Sequence, residues 1–177
     1  MDHFYEQVVA KHGKGIHDIA YFLATGIMVL SGILGIITLQ SLIYSFHIIS
    51  LLYGLFFAGV AVLLFFKKAE IRTEFEYTFT NGEMDFAKVF NNEKRKNLGS
   101  MKVAKVDAFG KVSSGSFHRF INTPGLKKRN WFLNREAELY YFYFVKDSVK
   151  NIIIIEPDEE MVDNIKKYLP RGIYHES

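Results

Sequence analysis

The most constraining feature of this chain is a run of 48 residues, Ile19–Phe66, that contains no Asp, Glu, Lys or Arg. The 22 basic and 19 acidic side chains all lie outside it. A helix crosses a hydrocarbon core of about 30 Å with roughly 20 residues, so the run is too long for one span and fits two. A polar stretch, 40–47, lies near its middle. The sequence therefore predicts a transmembrane α-helical hairpin over 19–66, with helices near 19–39 and 48–66.

The flanking charges predict how this hairpin is oriented. The turn between the helices carries no charge, whereas basic residues lie at both outer ends: Lys11, Lys14, Lys67, Lys68 and Arg72. The positive-inside rule places the N- and C-termini in the cytoplasm and the turn outside. A secretory signal peptide is the competing interpretation, but the leader contains Asp2, Glu6 and Asp18, and no small-residue cleavage pattern follows. We therefore predict a multi-pass membrane protein.

Small residues recur at helix-packing spacing in both predicted helices: Ala20, Ala24, Ser31, Gly35, Gly54 and Ala58. Such positions let helix backbones approach closely in lipid. The main interpretation is packing between the two helices of one chain, and a homodimer is the alternative. Neither span contains a charged residue, so the usual marker of a proton relay or ion path is missing. This argues against a transporter or channel formed by one chain.

The rest of the chain predicts a short cytoplasmic N-terminal segment, 1–18, and a cytoplasmic domain, 67–177. Alternating polar and apolar residues predict strands at 74–80 and 83–89 around an Asn81-Gly82 turn. Four more predicted strands lie at 102–109, 117–121, 139–145 and 151–156, the last two joined at Asp147-Ser148. Pro157, the acidic residues after it and the later lysines predict a closing amphipathic helix. The order indicates an α+β domain in which one helix covers an antiparallel sheet.

Two apolar helices, an aromatic "FEYTFTNGEMDF" hairpin and a closing "EPDEEMVDNIKKYLP" helix together resemble an uncharacterised family of small bacterial membrane proteins. These proteins carry a pleckstrin-homology-like (PH-like) domain similar to that of YcxB-like proteins. The resemblance implies the bacterial cytoplasmic membrane and a partly open, seven-stranded antiparallel β-barrel capped by the C-terminal helix. The acidic residues Glu83 and Asp85 lie beside the tight first turn. This turn differs from the basic loop of phosphoinositide-binding PH domains, so that lipid function is not implied.

The sequence contains no recognisable catalytic or cofactor motif. There is no Cys, and the six His residues lack metal-ligand spacing. The stretch 113–116 is not a nucleophile elbow, and no Gly-rich phosphate loop with a following Lys occurs. We therefore predict a protein that is not an enzyme and that needs neither a metal nor another cofactor.

One basic and aromatic patch is a candidate for contact with lipid or with a partner: Arg119, Lys127, Lys128, Arg129, Trp131 and Arg135. Basic side chains near a cytoplasmic membrane face attract anionic lipids, by about 1 kcal/mol each. A solvated loop with its aromatic residue folded onto the domain is the equal alternative. RNA binding also uses basic and aromatic groups, but no RNP-type motif is present, so no nucleic acid is expected.

These observations lead to three functional hypotheses. The first is a non-enzymatic membrane protein whose PH-like domain binds a protein partner or organises an assembly at the cytoplasmic face. The second is a sensor of anionic lipid that uses the segment 127–135. The third is an accessory subunit of a transporter or secretion complex, in which the small-residue helix faces contact another membrane protein.

Overall fold

The structure is a computed structural model that describes residues 3–175, with the side chain of Lys14 excepted. The chain divides into two units. Residues 13–73 together with 90–94 form the helical unit, and the other described residues form the sheet unit.

Two long apolar helices make up most of the helical unit: α1 (Lys14–Ser41) and α2 (Ile48–Lys67). They contain the two predicted spans, and both are long and apolar enough to cross a membrane. Most of their large apolar side chains point away from the unit; Phe22 is 66% exposed and Phe56 63%. A short 3₁₀ helix, Lys68–Arg72, follows α2.

The sheet unit begins with a strand that was not predicted from the sequence pattern. Within the segment 1–18, Phe4–Ala10 forms strand β1. It pairs antiparallel with β2 (Thr73–Thr80), from Phe4 opposite Thr80 to Ala10 opposite Glu74. The two long helices are therefore inserted, in sequence, between two neighbouring strands of one sheet.

The first sheet has the strand order β1-β2-β3-β4. β3 spans Glu83–Phe90 and β4 spans Lys94–Lys102. Between β2 and β3, Asn81 and Gly82 have positive φ angles of 48° and 86°. These angles fit the predicted type I′ turn, which needs positive φ at both central residues.

The second sheet has the order β6-β8-β7-β5-β9. Its strands are β5 (Ala108–Lys111), β6 (Lys127–Trp131), β7 (Tyr140–Lys146), β8 (Val149–Ile155) and β9 (Tyr174–His175). β7 pairs antiparallel with β5 and β8, whereas β6 pairs parallel with β8 and β9 parallel with β5. The predicted strands at 139–145 and 151–156, and the turn at Asp147-Ser148, are confirmed.

The described residues thus form nine strands in two sheets and no closed barrel, whereas six strands are predicted and a seven-stranded barrel is implied. The sequence prediction of a strand at 102–109 is wrong, because Val103–Lys105 forms a 3₁₀ helix. This turn carries the chain out of the first sheet and into the second, where β5 begins at Ala108. A continuous strand here would have joined the two sheets, and the turn keeps them separate.

The predicted strand at 117–121 is also wrong, because helix α3 (Gly115–Ile121) lies there. Phe117, Phe120 and Ile121 are spaced by three and one, so they lie on one helix face, and all three pack against the second sheet. The predicted closing helix is confirmed as α4 (Glu159–Tyr168). Asp158 caps it by accepting a hydrogen bond from the Met161 backbone N–H, at 2.8 Å.

Both faces of the second sheet are buried, which explains the run of four Ile in β8. On one face, Ile153 and Ile155 join a core shared with the first sheet and α4. On the other face, Ile152 and Ile154 pack beneath α3. Successive strand residues point to opposite faces, so an unbroken apolar run is needed where both faces are covered.

The sheet unit has two distinguishable ends. At the entry end, β1 finishes at Ala10, opposite Glu74, and the chain leaves for the helices and returns from them. At the far end, turns join β2 to β3 and β7 to β8. Glu83 and Asp147, which lie beside these two turns, line the same cleft. The ends of the two sheets therefore coincide.

Candidate functional site

The basic and aromatic segment 127–135 forms the edge strand β6 and the loop after it. Trp131 belongs to the main core, with 9% of its surface exposed, and its ring centroid lies 4.8 Å from that of Phe86. Its backbone carbonyl accepts a hydrogen bond from the buried hydroxyl of Tyr77. Burial raises the pKa of Tyr77 above its ordinary value, which keeps this hydroxyl protonated as a donor. The structure therefore places Trp131 in the core and not on the surface predicted for contact with lipid or a partner.

The basic residues of this segment lie apart from one another. Lys127 and Lys128 are exposed at the start of β6, near the far end. Arg135 lies at the entry end, where it lines a cleft of about 280 Å³ with residues 11–12. A rise of about 3.3 Å per residue separates Lys127 from Trp131 by roughly 13 Å before the loop to Arg135 begins.

Two further members of the predicted patch are held by the fold itself. Arg129 donates a hydrogen bond to the Asn151 side-chain oxygen on the neighbouring strand, at 3.0 Å. Arg119 lies on α3 with its guanidinium carbon 4.8 Å from the Phe120 ring centroid. The six predicted residues therefore do not form one surface.

The structure instead shows an open cleft of about 440 Å³ at the far end, between β4 and the β7–β8 turn. We call it the far cleft. Its charged lining residues are Lys102, Lys105, Lys146, Glu83 and Asp147, and its apolar ones are Met101, Val106, Phe144 and Val145. Across residues 3–175, none of the three lysines forms an ion pair. Each stands where an element ends: at the end of β4, in the 3₁₀ helix and at the end of β7.

A buried polar network occupies the entry end. Glu156 follows β8 and is only 8% exposed. Its carboxylate accepts hydrogen bonds from the backbone N–H groups of Leu133 and Asn134, at 3.1 and 3.0 Å, and from the Asn134 side-chain amide, at 2.7 Å. Charge-assisted hydrogen bonds of this kind offset the cost of burying a carboxylate.

Asn134 connects this carboxylate to the N-terminal strand. Its amide nitrogen donates to the Ala10 carbonyl at 2.9 Å, and its side-chain oxygen accepts from the His12 backbone N–H at 2.7 Å. Neither Glu156 nor Asn134 belongs to a recognised sequence motif, so this network is not predictable from motifs. The one available signal was an acidic residue, Glu156, directly after four Ile of a doubly buried strand.

Two other side chains of β1 bind the segment between β8 and α4. Gln7 donates to the Glu156 carbonyl at 3.1 Å and accepts from the Asp158 backbone N–H at 3.0 Å. The Tyr5 hydroxyl donates to the Asp158 carboxylate at 2.6 Å. This hydrogen bond is the main reason that the pKa of Tyr5 rises to about 12. β1 is thus bound along its length to the segment that opens α4.

The serine-rich stretch 113–116 forms local hydrogen bonds. The Ser114 hydroxyl donates to the Lys111 carbonyl at 2.6 Å and lies 2.8 Å from the Ser116 hydroxyl, which in turn lies 3.0 Å from that of Tyr141. These hydroxyls bond to one another and to backbone.

Among the residues that the structure describes, no group of three or more His, Cys, Asp or Glu side chains could hold a metal ion.

Comparison with known proteins places this architecture. A family model described as a bacterial PH-like domain (DUF6106) matches residues 1–175. The chain belongs to this family. The match covers β1, both long helices and both sheets. It confirms the family resemblance that the apolar helices, the β-hairpin and the closing helix indicate in the sequence. No curated protein and no solved structure matches the chain.

In this bacterial PH-like chain, the six small residues predicted for helix packing are buried or half-buried, and two glycines among them lie where α1 and α2 meet. Ala24, Ser31, Gly35 and Gly54 are buried, and Ala20 and Ala58 are half-buried. A Cβ atom added at Gly35 would lie 3.2 Å from the backbone nitrogen of Ala58, and one at Gly54 would lie 2.5 Å from a Leu39 methyl carbon. At Gly35 and Gly54, therefore, the absence of a side chain allows close contact between α1 and α2 of one chain.

Arg72 binds together three parts of the helical unit. Its Nε lies 2.8 Å from the Asp18 carboxylate, and its guanidinium carbon lies 4.1 Å from the centroid of the Tyr21 ring on α1. Its Nη1 donates to the side-chain oxygen of Asn91 in the β3–β4 turn, at 3.3 Å. The amide nitrogen of Asn91 donates to the Tyr21 hydroxyl, also at 3.3 Å. Arg72, predicted only as a flanking charge, is thus an ion-pair and cation–π partner as well.

Proposed function

We propose that the chain is a non-enzymatic, membrane-anchored binding protein. In this proposal α1 and α2 cross the bacterial cytoplasmic membrane, and both termini lie in the cytoplasm. The sheet unit binds a protein partner there or organises an assembly at the inner face of the membrane.

The observation that carries this proposal is the pairing of β1 with β2. β1 precedes α1 and β2 follows α2, yet the two strands are neighbours in one sheet. A sheet cannot be divided by a bilayer, because backbone groups in hydrocarbon must be paired within their own segment or barrel. Both outer ends of the helices must then lie on one side, which two crossings satisfy. Lys11, Lys67 and Lys68 favour the cytoplasmic side.

The geometry supports a protein partner better than a lipid surface. The core covers Trp131, and the basic residues of 127–135 are split between the two ends of the sheet unit. The far cleft lies at the end opposite the residues that lead into the helices. An accessory role in a larger membrane complex is a special case of this proposal, and it predicts that the outward apolar faces of α1 and α2 contact another membrane protein.

The topology is testable with single cysteines because the chain has none. Ser45→Cys lies in the exposed turn between the helices, and Ser113→Cys lies at an exposed position of the sheet unit. In spheroplasts, a membrane-impermeant maleimide is expected to label the Ser45→Cys variant at once and the Ser113→Cys variant only after lysis. Labelling of Ser113→Cys in intact spheroplasts would contradict the proposal.

The binding role is tested by extraction of the full-length protein from its native membrane in a mild detergent, followed by native mass spectrometry. We expect a protein to co-purify in a fixed ratio. Retention of anionic lipid with no accompanying protein would instead support the lipid-sensing alternative.

A further inference from the structure

We infer that the far cleft binds an extended acidic segment of a partner protein, an inference that rests on the proposed binding function. Three observations carry it: the charge of the cleft, the free edge of β4 beside it, and its apolar lining.

The first observation is charge. Lys102, Lys105 and Lys146 line the far cleft, and among the described residues none of them forms an ion pair. Glu83 and Asp147 also line the cleft, which leaves an excess of one positive charge among its lining side chains. A cleft rich in unpaired lysines attracts acidic segments and speeds their encounter. Further exposed lysines lie at the start of β6 and β8, and so at the same end of the second sheet: Lys127, Lys128 and Lys150.

The second observation is the strand edge. β4 is the last strand of the first sheet, so within residues 3–175 no strand pairs with its outer side. The Asn97 side chain accepts a hydrogen bond from the Gly99 backbone N–H at 2.7 Å, and Gly99 has a positive φ of 131°. This local turn interrupts the edge and leaves 100–102 as the stretch that lines the cleft. An extended peptide pairs with such an edge through its main chain, and side-chain pockets then supply specificity.

The third observation is the apolar lining. Met101 and Phe144 are half-buried against the main core, and Val145 is 52% exposed. An apolar side chain within an acidic segment would bury itself against these residues. The occupant that fits is therefore an extended segment with several Asp or Glu residues and one apolar residue among them.

The test uses the full-length protein in neutral detergent micelles. The probe is a fluorescent ten-residue peptide of Asp and Glu with one internal Phe, followed by fluorescence polarisation. We expect saturable binding that weakens with added salt, because exposed charge pairs are screened. Replacing Lys102, Lys105 and Lys146 together by Ala is expected to weaken binding by about tenfold, given the typical strength of three exposed charge pairs. A peptide with Gly in place of Phe is expected to bind about tenfold more weakly.

The matched control removes the same amount of charge elsewhere. Replacing Lys11, Lys67 and Arg135 by Ala also removes three exposed positive charges, none of which lines the far cleft or belongs to β4. We expect its affinity to stay within about twofold of the parent protein, an effect that long-range screening keeps small. A variant with Arg at all three cleft lysines keeps the charge and is expected to retain binding. If the Ala variant unfolds, the Arg variant still shows whether positive charge at these three positions is sufficient for peptide binding.

Three results would overturn the inference. They are no saturable peptide binding, an equal loss in the cleft and control variants, and cleft-dependent binding to phosphatidylglycerol vesicles without binding of the peptide. The last result would assign the far cleft to a lipid surface. None of these results depends on membrane topology, so the cysteine-labelling experiment still decides the proposed anchoring independently.

Discussion

The two ends of the sheet unit place charge in opposite environments. At the entry end, the Glu156 carboxylate is buried and accepts hydrogen bonds from Leu133 and Asn134. At the far end, the three lysines of the far cleft are exposed, and among the described residues they form no ion pair. Breaking a buried, fully bonded charge is costly, whereas exposed charges contribute little to stability. We therefore expect the entry end to maintain the fold and the far end to contribute little to its stability.

The largest expected effect comes from removing β1. Deletion of Phe4–Ala10 removes the buried Val9 and every hydrogen bond that Tyr5 and Gln7 make to the start of α4. We expect the sheet unit to lose its cooperative thermal transition, measured by circular dichroism in detergent.

The matched control for this deletion keeps β1 and removes the helices instead. A chain in which a short Gly-Ser linker replaces residues 13–72 joins two strands that already end opposite each other. It is expected to fold as a soluble sheet unit with a cooperative transition. If the chain without β1 melted as cooperatively as this control, β1 would not be part of the stable fold.

The next largest effect is expected from Glu156→Ala. The substitution removes the acceptor of three hydrogen bonds, from the backbone N–H groups of Leu133 and Asn134 and from the Asn134 amide, which should lower the free energy of unfolding by about 3 kcal/mol. Denaturant titration in detergent measures the loss. The control is Glu136→Ala, at an exposed position of the neighbouring loop, and it should leave the free energy of unfolding nearly unchanged because exposed substitutions seldom affect stability. Equal effects of the two substitutions would remove the distinction between the ends.

A smaller, pH-dependent effect is expected from Tyr5→Phe, which loses the hydrogen bond to Asp158. The loss should cost about 1 kcal/mol near neutral pH. Folding raises the pKa of Tyr5 from 10 to about 12, so the fold favours the neutral hydroxyl. This contribution is complete below pH 10 and is lost as the pH rises towards 12. The melting temperatures of the parent and the variant should therefore converge across this pH window. A constant difference would show that folding does not raise the pKa of Tyr5.

The smallest effect on stability is expected at the far end. Replacing Lys102, Lys105 and Lys146 by Ala should leave the free energy of unfolding almost unchanged, because these side chains are exposed and form no ion pair among the described residues. The same denaturant titration measures it. A loss as large as that of Glu156→Ala would mean that the far end also maintains the fold, and would make the comparison of the two ends invalid.

Local patterns in the sequence predict much of this fold. The uncharged run predicts both long helices, the alternation around Asn81-Gly82 predicts β2 and β3, and the acidic start after Pro157 predicts α4. Each of these signals lies within the element that it identifies. The family resemblance is confirmed by the family model.

What the sequence does not reveal depends on distant partners. β1 is recognisable as a strand only beside β2, which lies beyond both helices. The stretch 102–109 alternates like one strand, but two sheets compete for it, and Val103–Lys105 turns between them. The basic neighbours of Trp131 suggest an exposed aromatic side chain, and only the register of β6 shows that it faces the core. The far cleft also could not be predicted from the sequence, because its lysines come from separate elements that only the fold brings together.

The insertion of both helices between β1 and β2 also imposes an order on biosynthesis. β1 leaves the ribosome first, yet its pairing partner follows only after both helices have been synthesised, a delay of several seconds at ordinary translation rates. In the proposed topology, the translocation machinery must therefore integrate the helices before the nascent domain can close. In that proposed topology, once β1 and β2 have paired, neither helix could reverse its direction in the bilayer without unfolding the sheet. In the proposed topology, the folded sheet unit thus fixes the orientation of the two helices that precede β2 in the chain.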